Sequence, residues 1–173
     1  MRRSTGGSGV TLAPMTTRRS PRVYWLIGAI GTSRLVTRLH PPLYRLTGGR
    51  WPVGRNLGVL NVIVTTVGRR SGKVRDIPLF AFEDGASLVV IGSNMGRPQE
   101  PAWVANLVGY PDARVRVGRA VRAMRARVAE GPERDRLWAL AVRGYPGYED
   151  YASWTTRRIP VVVLEPASQE GDR

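Results

Sequence analysis

The sequence predicts a mainly β domain of the α+β class, an antiparallel barrel with short peripheral helices and an amphipathic helix at the N-terminus. Apolar, β-branched runs recur from residue 57 onward, and turn signals such as Asp84-Gly85 and Gly118-Arg119 separate them. Most neighbouring runs are joined by short turns, and such turns connect antiparallel strands. The helical patterns are short and inserted between strands, which disfavours a parallel α/β sheet.

The region ahead of the barrel has two parts. Residues 1–19 lack periodicity and are expected to form a disordered basic tail. Residues 20–41 are expected to form a helix with side chains such as Tyr24 and Leu35 near one face. Its apolar run is too short to span a bilayer, which takes about 20 residues, and no export cleavage pattern follows. The basic helix over 21–40 either lies on an anionic membrane or packs on its own domain.

Residues 42–173 are expected to form the barrel domain. The predicted strands are LGVLNVIVTTV (57–67), VRDIPLFAFE (74–83), ASLVVIGS (86–93), the two arms of a hairpin over 112–129, and IPVVVLEP (159–166). Pro101 opens a short helix that ends at Gly109, and a second helix begins at Pro132 and ends near Gly144. The segment YPGYEDYASW is expected to be a turn with a short helical stretch.

Composition excludes several kinds of site. The 173 residues suffice for one domain with a core. No cysteine is present, so disulfides and thiolate chemistry are excluded. The one histidine, His40, precedes two prolines, which excludes a zinc site built from several His or Cys ligands and disfavours a Ser-His-Asp triad. We expect no metal.

The positive charge is concentrated in the first half of the chain. Residues 1–75 hold fourteen of the 27 Lys and Arg residues and no Asp or Glu, whereas residues 76–173 hold thirteen of each sign. This asymmetry predicts an anionic partner: nucleic acid, a membrane surface or an anionic ligand. Nucleic acid is not expected, because residues 65–78 contain none of the aromatic side chains that would stack on bases.

The stretch TTVGRRSGKVRDIP (65–78) is the candidate anion site, since it sets four cationic side chains in a glycine-containing turn between two strands. Glycines allow backbone N–H groups to converge on an anion, and Arg and Lys add contacts to phosphate or carboxylate. The segment is no Walker A loop, because the glycine spacing is short, no Ser or Thr follows Lys73, and a strand follows where a helix is needed. The alternative is a solvated basic hairpin.

Four segments resemble one family when taken together. They are TTVGRRSGKVRDIPL (65–79), VVIGSNMG (89–96), EPAWVANL followed by YP (100–111), and YPGYEDYASWTTRRIPVVVLEP (145–166). In this order they are similar to the deazaflavin-dependent nitroreductases, also described as F-420-dependent quinone reductases, of the split β-barrel flavin-reductase superfamily. The resemblance implies a split barrel and a hydride transfer from reduced coenzyme F-420 to a quinone, nitroaromatic or similar conjugated acceptor. An FMN-binding split-barrel reductase and a non-enzymatic cofactor-binding or membrane-associated module are the alternatives.

The resemblance also implies which residues bind the cofactor. Its anionic phosphate and polyglutamate tail are expected to contact the cationic turn within residues 65–78. The expected cofactor-binding residues are Arg69, Arg70, Ser71, Lys73, Arg75, Asp76, Ile77, Pro78, Leu79, Ile91, Gly92, Ser93, Asn94, Ala102, Trp103, Val104, Ala105, Asn106 and Tyr148. Trp103 either packs near the deazaflavin ring or is a core tryptophan. A location in the cytoplasm, peripheral at the inner face of the membrane, is expected.

The resemblance assigns the acceptor side to Ser93, Tyr145, Tyr148 and Tyr151, which are the expected catalytic residues. Tyrosines spaced by three share one helical face and could stack on a flat acceptor. A hydroxyl of Ser93 or Tyr148 would stabilise the negative charge that hydride leaves on oxygen. Simple packing of a C-terminal flap is the alternative. Val104 stands where the family often has Tyr, and Asn94 where it often has Lys, so the acceptor is left open.

Overall fold

The computed structural model describes Pro42, Tyr44, Leu46, residues 55–56 and residues 59–167. The predicted tail over 1–19 and helix over 20–41 lie outside the described residues, and the division into a tail, a helix and a barrel domain stays a prediction.

Within these described ranges, seven antiparallel strands form the sheet. They are β1 (Arg55–Asn56), β2 (Val59–Val67), β3 (Val74–Asp84), β4 (Ser87–Ile91), β5 (Asp112–Val117), β6 (Ala120–Val128) and β7 (Val161–Pro166). The strand order is β1-β2-β3-β4-β7-β6-β5, and β5 pairs again with β2 through Val64 and Val115. This last pairing closes six of the strands into a barrel, and the short β1 pairs with the start of β2. The predicted antiparallel barrel is confirmed.

Apolar side chains fill both faces of the sheet. Val62, Val64 and Val90 belong to a cluster inside the barrel, whereas Val89 and Val163 belong to a second cluster between the sheet and the helices on its outer face. Because β4 and β7 are buried on both faces, they read as continuous apolar runs and not as alternating patterns. β4 ends at Ile91, two residues before the predicted end, because the backbone turns there.

Three α-helices and one 3-10 turn are inserted between the strands. They are the 3-10 turn Asn94–Gly96, α1 (Ala102–Gly109), α2 (Gly131–Gly144) and α3 (Gly147–Ser153). The buried side chains of α1 join the cluster inside the barrel, and those of α2 and α3 join the cluster on the outer face. Among the helices that the structure describes, none is both long and apolar enough to cross a membrane.

Tyr44 ties the segment ahead of β1 to the barrel. Its hydroxyl donates to the carbonyl oxygen of Asn61 on β2 (2.8 Å) and accepts from the N–H of Gly118 in the β5–β6 turn (2.8 Å). The side chain is buried against Ile63. One residue outside the sheet therefore bridges two strands at the seam where β2 and β5 close the barrel.

Candidate functional site

The turn between β2 and β3 is short and closed by its own backbone. The N–H of Gly68 donates to the carbonyl of Lys73 (2.9 Å), and the N–H of Gly72 donates to that of Gly68 (2.8 Å). Gly72 has a φ of 63°, which favours glycine. The side chains of this cationic turn are exposed, including Ser71 and, at the start of β3, Arg75. Within the described part of the chain, its four cationic residues form no ion pair.

The cationic turn docks on α1. The backbone N–H of Arg69 donates to Oδ1 of Asn106 (3.1 Å), and this asparagine is only 9% exposed. The structure thus brings together two segments that lie 37 residues apart and were predicted to share a site. Trp103 and Val104 instead point into the barrel cluster, which favours the core interpretation of the tryptophan. Ala102 is exposed, and Ala105, also on α1, is half-buried.

Strand β3 divides its predicted site residues between two faces. Asp76 and Pro78 lie on the outer face, where Oγ1 of Thr65 donates to Oδ1 of Asp76 (2.6 Å). Ile77 and Leu79 pack against the cluster inside the barrel. Because side chains alternate along a strand, Asp76 and Pro78 share one face of β3, and Ile77 and Leu79 share the other.

Phe80, which the sequence analysis did not single out, continues the outer face of β3 after Pro78. Its ring lies 5.5 Å from the ring of Tyr145 in an edge-to-face arrangement. The outer face of β3 therefore leads from the cationic turn to the predicted acceptor residues. Side chains two positions apart on a strand face the same side, so the position of Phe80 after Pro78 was the signal that could have identified it.

The three predicted tyrosines form one cluster. Tyr145, Tyr148 and Tyr151 are each at most 4% exposed, with ring centroids 5.1 Å apart for the first two and 6.1 Å for the last two. The hydroxyls of Tyr145 and Tyr151 are 3.1 Å apart and hydrogen bonded. Burial raises the pKa of Tyr148 and of Tyr151, so both hydroxyls are neutral donors at neutral pH.

The segment after β4 adopts an unusual backbone. Ile91 joins the outer cluster and Gly92 is buried, where an added Cβ would lie 2.9 Å from Cγ2 of Val104 on α1. After the half-buried Ser93, Asn94 and Met95 have φ values of 45° and 57°. Left-handed backbone is uncommon outside glycine and often marks functional sites.

The same segment approaches α3. Gly96 has a φ of 72°, and an added Cβ would lie 2.7 Å from the carbonyl oxygen of Tyr151. The segment Gly92–Arg97, here called the strand-end loop, therefore lies between α1 and the tyrosine cluster. Ser93 and Asn94, predicted as site residues, belong to this loop.

Arg157 is a second residue that the sequence analysis did not identify. Its Nη2 donates to the carbonyl oxygens of Gly92 (3.0 Å) and Ser93 (2.6 Å), and its Nε donates to that of Arg97 (3.0 Å). The only sequence signal was a paired arginine directly ahead of the last strand.

The closed antiparallel barrel is consistent with the split-barrel fold of F-420-dependent reductases. The chain belongs to the F-420H2-dependent quinone reductase family, whose model matches residues 36–166.

Relatives and solved structures agree with this assignment. An F-420H2-dependent quinone reductase of Mycobacterium tuberculosis is 32% identical over 145 residues, which cover 81% of this chain and 95% of the relative. The structure of an F-420-H2-dependent reductase, FDR-A, superposes with a TM-score of 0.57 at 39% identity, covering 61% of this chain and 93% of that one. A structure described as a domain-swapped dimer gives a TM-score of 0.61 at 34% identity, over 76% and 97% of the two chains.

Proposed function

We propose that this protein is an oxidoreductase that transfers a hydride from the reduced deazaflavin coenzyme F-420 to a quinone. The family match and the names of the relatives support this activity. The observation that carries it in the structure is the exposed cationic turn, docked through Arg69 on Asn106 of α1. The coenzyme supplies the hydride, and the protein supplies binding, orientation and protons.

The residues present fit an elongated anionic coenzyme with a flat ring. Arg69, Arg70, Lys73 and Arg75 form no ion pair among the described residues, so their charges are available for the phosphate and glutamate groups. The outer face of β3 then leads past Pro78 to aromatic rings. The cationic turn would hold the tail, and the strand-end loop with α1 would hold the ring.

The tyrosine cluster and Ser93 would act on the acceptor. Hydride arrival leaves negative charge on a quinone oxygen, and a hydroxyl donor aimed at that oxygen stabilises the transition state. Ser93 is half-buried at the start of the strand-end loop, and Tyr148 lies between the two other tyrosines. The proton that completes the reduction would come from the hydrogen-bonded pair Tyr145 and Tyr151 or from water.

Nitroaromatics and other flat conjugated molecules are further proposed acceptors, because the ordered motifs of the chain also resemble the deazaflavin-dependent nitroreductases. Contact of residues 21–40 with a membrane, and a cytoplasmic location peripheral to it, stay predictions. Flotation of the protein with anionic vesicles, compared with a variant lacking residues 1–41, tests the membrane contact. Equal recovery of both proteins in the unbound fraction would contradict it.

A fluorescence titration with F-420 tests the proposed coenzyme. The wild type is expected to saturate at micromolar F-420, and replacing Arg69, Arg70 and Lys73 with Ala is expected to raise Kd by about tenfold to a hundredfold, because several charge-assisted contacts are lost. The effect should shrink as salt is added.

The matched control replaces Arg119 and Arg122, two exposed arginines of the β5–β6 hairpin, and should leave Kd unchanged. Absence of saturable F-420 binding by the wild type would overturn the proposed function. A yellow protein that releases FMN on denaturation would instead identify the alternative cofactor. Unchanged affinity in the Arg69/Arg70/Lys73 variant would overturn the placement of the tail.

A further inference from the structure

Arg157 binds the strand-end loop entirely through backbone carbonyls. Its Nη2 and Nε atoms donate to the carbonyls of Gly92, Ser93 and Arg97. Within the described residues no carboxylate forms an ion pair with Arg157, and its Nη1 is buried without a hydrogen-bond partner. Burial lowers the pKa of this guanidinium, while the charge of Glu100 acts in the opposite direction. A partly buried positive charge thus lies directly behind the loop.

The loop needs an external restraint. Ser93 has right-handed helical backbone, and Asn94, Met95 and Gly96 follow with positive φ. Each non-glycine residue in this conformation is strained by about 1 kcal/mol or more, and such strain persists only where surrounding contacts over-determine it. The loop's own restraints are few: among them the N–H of Gly96 donates to the carbonyl of Ser93 (3.0 Å).

The contacts with Arg157 also fix where the loop's N–H groups point. In a planar trans peptide the C=O and the following N–H point in opposite directions. Because the carbonyls of Gly92 and Ser93 face Arg157, the N–H groups of Ser93 and Asn94 face away from it. Neither N–H donates to any atom of the described residues. Successive right- and left-handed residues of this kind make N–H groups converge on a site for negative charge.

We propose that Arg157 is a positioning residue that holds the strand-end loop so that the N–H groups of Ser93 and Asn94 are presented to an electronegative oxygen of the bound coenzyme. Its guanidinium draws electron density from the Gly92–Ser93 and Ser93–Asn94 peptides, and this strengthens their N–H groups as donors. Among the described residues, the side-chain hydrogen bonds of Arg157 go only to the loop. The inference rests on the proposed function, since the oxygen belongs to F-420.

The test replaces Arg157 with Met, which keeps the length of the side chain and removes charge and donors, and with Lys, which keeps the charge but not the planar fork. The measured quantity is Kd for F-420 by fluorescence titration. Arg157→Met is expected to raise Kd by about tenfold, and Arg157→Lys by less, because charge-assisted hydrogen bonds are lost in different numbers.

The matched control is Arg127→Met. Arg127 also donates three hydrogen bonds, to Glu133 and Glu165, on a surface away from the loop. The Tm of each protein shows whether either variant loses stability in general. Only the Arg157 variants should weaken coenzyme binding, and equal Kd values for Arg157→Met and the wild type would overturn the inference.

Hydrogen exchange of peptides covering residues 92–97 supplies a second readout that needs no coenzyme. The N–H groups of Gly92, Gly96 and Arg97 are hydrogen bonded, so their exchange reports whether the loop is held. Arg157→Met should exchange several times faster there than wild type, and Arg127→Met should not. A wild type that fails to bind F-420 would overturn the proposed function, and unchanged exchange in Arg157→Met would overturn the holding role separately.

Discussion

Tyr148 lies at the centre of the tyrosine cluster, where its ring packs edge-on against the rings of Phe82 and Tyr145. Desolvation by burial is the main cause that raises its pKa, with the neighbouring Tyr151 adding to it. The same burial that keeps the hydroxyl protonated makes the fold sensitive to alkali. The proposed catalytic role and the stability role therefore fall on one side chain.

The sign of this effect gives a testable pH dependence. An unfolded tyrosine ionises near pH 10, whereas buried Tyr148 stays neutral, so the folded state holds the extra proton and stability falls as pH rises above about 10. Each such group contributes up to about 1.4 kcal/mol per pH unit. Tyr148→Phe should therefore lose stability more slowly than wild type between about pH 10 and 12 in urea unfolding.

The control for this pH series is Tyr110→Phe, because Tyr110 is half exposed. Its pH profile of unfolding free energy should match that of the wild type. An equal alkaline slope for Tyr148→Phe and the wild type would contradict the burial argument.

At the scale of elements, the strand-end loop makes close contacts with both α1 and α3. Gly92 and Gly96 mark the two contacts, one with a side chain of α1 and the other with the backbone of α3. Because the latter partner is a carbonyl oxygen, it cannot turn aside as a flexible side chain would. The strand-end loop can therefore approach α3 this closely only because Gly96 has no Cβ.

Gly96→Ala tests this contact against Gly85→Ala. Both glycines have positive φ, but a Cβ at Gly85 would meet nothing within 4 Å. Gly85→Ala should cost about 1–2 kcal/mol from backbone strain alone, and Gly96→Ala about 1–3 kcal/mol more from the clash. Urea denaturation of both variants provides the comparison, and equal losses would show that the loop can move away from α3 freely.

At the scale of the whole molecule, closure of the barrel depends on residues far apart in the chain. Tyr44 is 17 residues from Asn61 and 74 from Gly118, yet its hydroxyl joins both. The Arg127 side chain similarly joins β6 to α2 and β7 through Glu133 and Glu165. These exposed ion pairs contribute little, whereas the buried hydroxyl of Tyr44 satisfies a backbone acceptor and a backbone donor at the closure of the barrel.

Tyr44→Phe is expected to lower the unfolding free energy by about 1–3 kcal/mol, because the Gly118 N–H and the Asn61 carbonyl each lose a partner. For a chain of this size that corresponds to a Tm decrease of about 2–4 °C per kcal/mol. Thermal unfolding followed by circular dichroism measures it. Loss of the exposed hydroxyl in Tyr110→Phe should change Tm little, and a Tyr44→Phe protein as stable as that control would contradict this role.

Local patterns were sufficient to predict most elements. The β2–β3 and β5–β6 hairpins follow from apolar runs around glycine turns, and α1 and α2 follow from their prolines and glycines. The predicted strand over 86–93 was too long because it included Gly92 and Ser93, whereas the backbone turns after Ile91. The predicted cofactor-binding residues Asp76–Leu79 divide between the inner and outer faces of β3, and this division becomes visible only when the pairing of the strands is known. Residue roles at the site remain proposals.

The sequence by itself determined the barrel class, the cationic turn and the family, because these depend on periodicity, turn chemistry and a set of ordered motifs. Only the tertiary structure decided that Asn106 anchors that turn, that Phe80 connects it to the tyrosines, and that Arg157 binds the strand-end loop. Arg157 lies 65 residues from Gly92 along the chain. No local pattern encodes a side chain that binds carbonyls, because every residue carries the same carbonyl and only the fold selects which ones it meets.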